Sequence, residues 1–124
     1  MLELTDINVI KKICKDYGFQ FKKGLGQNFL CDLDTVLGII EKSGITKDTS
    51  VIEIGPGFGS LTSHLLEYAK KVTALEIDES LIPVLSDLFK NYDNFNLINE
   101  DVLKFDLSKI TDDNTKVEIG RAHV

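Results

Sequence analysis

The sequence predicts an α/β chain, a parallel sheet preceded by a helical extension, and three observations carry that prediction. From residue 50 onward, short β-branched runs alternate with segments of helical periodicity, the pattern of βαβ units. A glycine-rich turn, GPGFG at 55–59, falls between the first of those strands and the helix after it. Before residue 50 there are two helical repeats and no strand signal.

The elements follow in order. Ile7, Ile10, Ile13 and Cys14 recur at helical spacing within 4–17, with Thr5 or Asp6 as the cap and Gly18 as the stop. FQFKKGLGQNFL (19–30) is a glycine-punctuated basic loop. A second helix, capped by Asp32 or Asp34, carries Val36, Leu37, Ile39 and Ile40 and stops near Gly44. SVIEI (50–54) is the first strand, 61–69 a helix, and KVTALEI (71–77) the second strand. LIPVLSDLFK (81–90) is helical; with Ser80 as its cap, Pro83 falls in the first turn, where no backbone donor is missed. NFNLINE (94–100) is a third strand and TKVEI (115–119) opens a fourth. A doubly wound sheet has about five or six strands, so the sheet is expected to be incomplete within this chain.

The 124 residues suit one domain, and 43% apolar with 27% charged residues is ordinary for a globular protein. The longest apolar runs, such as LGII (37–40), are too short for a membrane span, and the N-terminus has no apolar core of a secretory signal. Cys14 and Cys31 have neither metal-ligand nor redox spacing, so free thiols in a reducing, cytoplasmic setting are expected. The net charge of −6 argues against a chain that is wholly a nucleic-acid clamp. Residues 1–30 are locally basic through Lys11, Lys12, Lys15, Lys22 and Lys23, which reads first as a solvated helix face and second as a phosphate contact.

Chemistry concentrates at the strand ends. Gly55, Gly57 and Gly59 permit positive φ and let backbone amides approach a ligand, and the next helix aims its positive end at the same place. The spacing is G-x-G-x-G, not the G-x-G-x-x-G of dinucleotide sites. Glu76, at the end of the second strand, can accept hydrogen bonds from both hydroxyls of a ribose. Asp101, just past the third strand, can accept from an adenine amine. Glu53 reads equally as a satisfied buried acid or as a balance for a cationic ligand. His64 belongs to no acid–base constellation. No nucleophile stands beside a histidine and no metal cluster is visible, which points to a transfer driven by positioning and electrostatics.

Together LGQNFL (25–30), EIGPGFGSLT (53–62), ALEID (74–78) and EDVL (100–103) resemble the ribosomal RNA adenine dimethyltransferases, and more narrowly their bacterial branch acting on 16S rRNA. The resemblance spans about residues 15–117. It implies a Rossmann-like S-adenosylmethionine-dependent methyltransferase fold, truncated, with an N-terminal helical extension. Residues 1–49 would form the arm and a cofactor-closing loop, and 50–117 the first half of the methyltransferase domain. By this resemblance Asn28 and Leu30, with Gln27 beside them, close over S-adenosylmethionine. Gly55 lies under its methionine part, Gly57 is a further cofactor-binding residue, Glu76 takes the ribose hydroxyls, and Asp101 takes the adenine amine with Val102 beside the ring. The implied reaction puts two methyls on each of two adjacent adenines near the 3′ end of 16S rRNA in immature small subunits. A monomer without metal is expected.

The family's catalytic Asn-Leu-Pro-Tyr/Phe motif does not occur in this sequence. EIGRAHV (118–124) is what a common sequencing adapter gives when translated in frame, so these residues are expected to be a non-native tail and the chain by itself inactive. Three rival readings are a nicotinamide-dependent oxidoreductase, a 23S rRNA methyltransferase of the macrolide-resistance type, and a non-catalytic RNA-binding relative. The glycine spacing and the LGQNFL loop disfavour the first; GPGFGSLT and the Leu-Gly before QNF disfavour the second.

Overall fold

A computed structural model of the chain describes residues 3, 4, 6–18, 33–111 and 114–119. Helices α1 to α4 cover Ile7–Tyr17, Leu33–Ser43, Ser60–Tyr68 and Ile82–Leu88; strands β1 to β4 cover Ser50–Ile54, Lys71–Leu75, Phe95–Ile98 and Thr115–Ile119. Asp6 caps α1 by accepting from the Asn8 N–H, and Gly18 closes the helix at φ 76°. Asp34 lies inside the first turn of α2 and is not its cap, because the helix already begins at Leu33. Asp32 lies outside the described residues, as does Cys31.

Several boundaries differ from the periodicity reading: β3 spans only Phe95–Ile98 of the expected 94–100, α4 only Ile82–Leu88 of 81–90, and two further differences bear on the site. β2 stops at Leu75, so Glu76 and Ile77 stand beyond the strand, where the Glu76 carboxylate accepts from the Asp78 N–H and bends the chain. Ser80 does not cap α4, whose N-cap is Leu81 without a side-chain bond; Asp78 instead accepts the Ser80 N–H at 2.9 Å and caps a 3-10 turn over Glu79–Leu81 that leads into the helix. Aspartate is the better acceptor for such a turn. Pro83 then sits in the first turn of α4, as expected.

The four strands are parallel in the order β3-β2-β1-β4. The chain steps outward from β1 through β2 to β3, then crosses back to lay β4 on the other side of β1. Val51 is thereby paired with Val72 on one side and Lys116 on the other. β4 includes Glu118 and Ile119, opposite Glu53 and Ile54, so the expected boundary at residue 117 falls inside a strand.

β1 is internal, and its three central residues are buried, as both faces of a parallel strand require. Val51 and Val72 pack into one cluster with Ile10, Ile13, Val36, Ile40, Leu61, Leu65, Val84, Leu85 and Phe89. By alternation Ile52, Thr73 and Leu75 face the other way, and they are buried too. Cys14 is a free thiol within the α1 contact, its pKa raised by burial. No helix among the described residues is long and apolar enough to cross a membrane.

Candidate cofactor site

β1 lies where the strand order reverses, the position at which open α/β sheets form a crevice beyond their carboxyl ends. The turn leaving β1 occupies that position. Gly55, Gly57 and Gly59 all have positive φ, at 68°, 61° and 88°. The Gly55 N–H stays on the Leu75 carbonyl at 2.9 Å, and the Gly59 N–H closes the turn onto Pro56 O at 2.9 Å. Gly59 then serves as the N-cap of α3 without any side-chain cap.

The glycines do different work. A Cβ on Gly59 would stand 2.6 Å from two ring atoms of Phe89, so this glycine allows the turn to pack on the core. A Cβ on Gly57 would meet nothing within 4 Å. Gly57 therefore faces open space on the side where a side chain would stand, room for a ligand group to approach the turn.

Glu76 faces this turn from the end of β2. It is 4% exposed, a degree of burial a carboxylate tolerates only with hydrogen-bond partners. Its Oε1 accepts from the Gly57 N–H at 3.3 Å and its Oε2 from the Asp78 N–H at 3.0 Å. The structure thus joins the glycine turn and the acid, two features the sequence keeps 19 residues apart. An ionised carboxylate offers about four lone-pair sites, so this is a group that can also accept from hydroxyl donors.

Asp101 lies just past β3 and is partly buried, with Val102 also partly buried beside it. Its Oδ1 accepts from the Leu103 N–H at 2.9 Å and its carbonyl from the Lys104 N–H at 2.9 Å, a tight turn that holds the residue at the sheet's carboxyl end. Gln27, Asn28 and Leu30 lie outside the described residues.

Some polar residues near the site are not evident from sequence. Glu53 is wholly buried in β1 and accepts a hydrogen bond from the Thr62 hydroxyl, tying the end of β1 to the first turn of α3 across the glycine turn. Thr62 engages one carboxylate oxygen, Oε1, which leaves both readings of Glu53 open. Asn99, after β3, donates to the carbonyls of Glu76 and Ile77. His64 contacts Glu3 at 3.1 Å, fastening the N-terminal arm to α3, and stands in no acid–base arrangement. The signal for Thr62 was its place within GSLT; Asn99 had none.

A parallel sheet with a glycine turn at its switch point and a buried acid at the next strand end defines a Rossmann-like methyltransferase fold, and solved structures agree. The structure of the 23S rRNA methyltransferase ErmE aligns with TM-score 0.61 and 37% identity over 64% of this chain and 32% of its own. A dimethyladenosine transferase from Plasmodium falciparum aligns with TM-score 0.55 and 34% identity over 60% of this chain and 28% of its own. The family model for ribosomal RNA adenine dimethylase matches residues 18–123, and the chain belongs to that family. The ribosomal RNA small subunit methyltransferase A of Bacillus pumilus (strain SAFR-032) is 52% identical over 104 residues, which is 84% of this chain and 36% of that protein. The chain therefore spans about a third of the length of such relatives.

Proposed function

We propose that this chain forms the cofactor-binding side of an S-adenosylmethionine-dependent enzyme that dimethylates two adjacent adenines of 16S rRNA. The observation that carries the reading is the joining of Gly57 to the buried Glu76 carboxylate at the switch point. The residues present fit such a cofactor: a positive-φ glycine turn with open space at Gly57, and a buried acceptor carboxylate, Glu76, facing that turn from the end of the next strand. Glu76 accepts the ribose hydroxyls. Asp101 accepts the adenine amine and Val102 lies against the ring. Gln27, Asn28 and Leu30 close over the cofactor.

S-adenosylmethionine supplies an electrophilic methyl on a sulfonium. The exocyclic amine of adenine is a weak nucleophile, since its lone pair is delocalised into the ring. The protein's part is therefore to hold cofactor and base in line, in a site shielded from water, without covalent catalysis. The substrate is the small-subunit rRNA of an immature particle, and the enzyme works as a cytoplasmic monomer without a metal. Relatives of 50–55% identity bear the small-subunit name, which favours 16S rRNA over the 23S substrate of ErmE at 37%.

Titration of the chain with S-adenosylhomocysteine and with NAD separates the cofactor classes. Binding of the first and not the second is expected. Glu76→Ala removes two charge-assisted hydrogen bonds to ribose and is expected to weaken binding by roughly 10- to 100-fold. Preferential NAD binding, or full affinity in Glu76→Ala, would overturn the reading.

A further inference from the structure

The Glu76 carboxylate is useful to a ribose only if its backbone holds it at the crevice. Glu76 lies one residue past the last strand position of β2, where the ladder to β3 gives out. One ladder-like bond remains, from the Glu76 N–H to Ile98 O at 3.0 Å. Beyond it the β2–β3 pairing has ended, and the carbonyls of Glu76 and Ile77 lie within reach of the residue that follows β3. Asn99, the first residue after β3, fills that gap. Its Nδ2 donates to Glu76 O at 2.8 Å and, at a longer 3.4 Å, to Ile77 O. Both partners are carbonyls, so the amide NH₂ and not its oxygen must face them. Asn99 is solvent-exposed and contributes nothing to the apolar core.

We infer that Asn99 is a positioning residue for the ribose acceptor: one side-chain amide replaces the missing rung of the sheet and holds the 76–77 backbone so that the Glu76 carboxylate stays on the glycine turn. It acts on the cofactor through Glu76 and does not touch the reacting atoms. The inference rests on the reading of Glu76 as the ribose acceptor. The hydrogen bonds themselves are independent of that reading. Asparagine suits the task because it offers two N–H donors on a short stem, so one group reaches two consecutive carbonyls. An aspartate would set a carboxylate against the same two oxygens and push the segment away.

Two measurements on the chain test this. Amide hydrogen exchange at Gly57 and Asp78, both donors to the Glu76 carboxylate, needs no ligand. Asn99→Ala is expected to speed exchange at both by roughly tenfold while the β1 and β2 amides keep their protection, and Asn99→Asp is expected to speed it further. Unchanged exchange at Gly57 and Asp78, or equal acceleration across the whole sheet, would overturn the inference. In the second measurement, Asn99→Ala weakens S-adenosylhomocysteine binding about five- to tenfold in the native background and has no further effect once Glu76→Ala is present. An equal loss in both backgrounds would mean that Asn99 acts independently of Glu76, and would also overturn it. A native chain that does not bind S-adenosylhomocysteine defeats the cofactor reading alone, since the exchange data still decide whether Asn99 holds Glu76.

Discussion

Two glycines two residues apart, Gly57 and Gly59, show how one residue type serves stability at one position and binding at another. Gly59 sits at φ 88° with its missing Cβ pressed against the Phe89 ring. That ring cannot yield: it is 1% exposed and packed on Tyr92 and Phe95 at centroid distances of 6.1 and 5.1 Å. Gly59→Ala combines the left-handed backbone cost of ~1–2 kcal/mol with overpacking of ~1–3 kcal/mol, and is expected to lower the thermal midpoint sharply. Gly57→Ala carries only the backbone cost of ~1–2 kcal/mol, because its Cβ meets nothing. Its methyl would stand in that open space, so S-adenosylhomocysteine affinity should fall more than stability does. Thermal unfolding and calorimetric titration of the two variants, read together, check the contrast; equal losses in both assays would remove it. The glycines and Glu76 were legible as a site because a turn after a strand and an acid about 20 residues on are local patterns. Asn99 was not, since an asparagine after a strand is an ordinary loop residue until its carbonyl partners are known.

Helix α1 is held at both ends by contacts that span the sequence. Ile10, Ile13 and Cys14 bury its apolar stripe; Glu3 before the helix reaches His64 of α3, and Tyr17 in its last turn donates its hydroxyl to Asp87 of α4. The stripe was readable from periodicity, whereas the partners α3 and α4 were not. The Tyr17 bond, foremost among several causes, raises the Tyr17 pKa, and it is also the leading cause that lowers that of Asp87, with Lys90 assisting. A lowered folded pKa at Asp87 means its contribution is present above the unfolded carboxylate value and is lost as pH falls through the lowered one. A raised folded pKa at Tyr17 means its contribution is lost as pH rises through that value. Tyr17→Phe should therefore speed amide exchange in the last turn of α1 across neutral pH, with the difference from the native chain vanishing in strong acid and in strong alkali. A difference that persists below the aspartate range would show that ring packing, not the hydrogen bond, holds the helix. The pair is solvent-exposed, so the effect should remain local to α1.

At the scale of the molecule, β4 decides whether β1 is an interior strand. β1 carries the residues leading into the glycine turn, and its burial on both faces suits a strand with two neighbours. Removing residues 115–119 would leave its ladder groups unpaired along five positions and turn an apolar interior strand into an edge. That deletion is expected to lower the thermal midpoint and to increase association in sedimentation, while β1–β2 pairing persists. An unchanged midpoint and a monomeric profile would show that β4 adds little. Ligand should counter part of the loss, because a cofactor present at 100 times its dissociation constant stabilises the native chain by about 2.7 kcal/mol.

By itself the sequence determined the kind and order of the main elements, the Gly18 end of α1, the glycine turn, and the acids at two strand ends. Each rests on periodicity, backbone preference or chain chemistry acting over a few residues. The tertiary structure alone decided that β4 returns to the far side of β1, that Glu76 meets Gly57, that Thr62 answers the buried Glu53, and that Asn99 supports the Glu76 backbone. Those choices depend on which strands pair and in what register. Such pairing is settled by burial and hydrogen bonding between segments distant in the chain, and no local pattern records it.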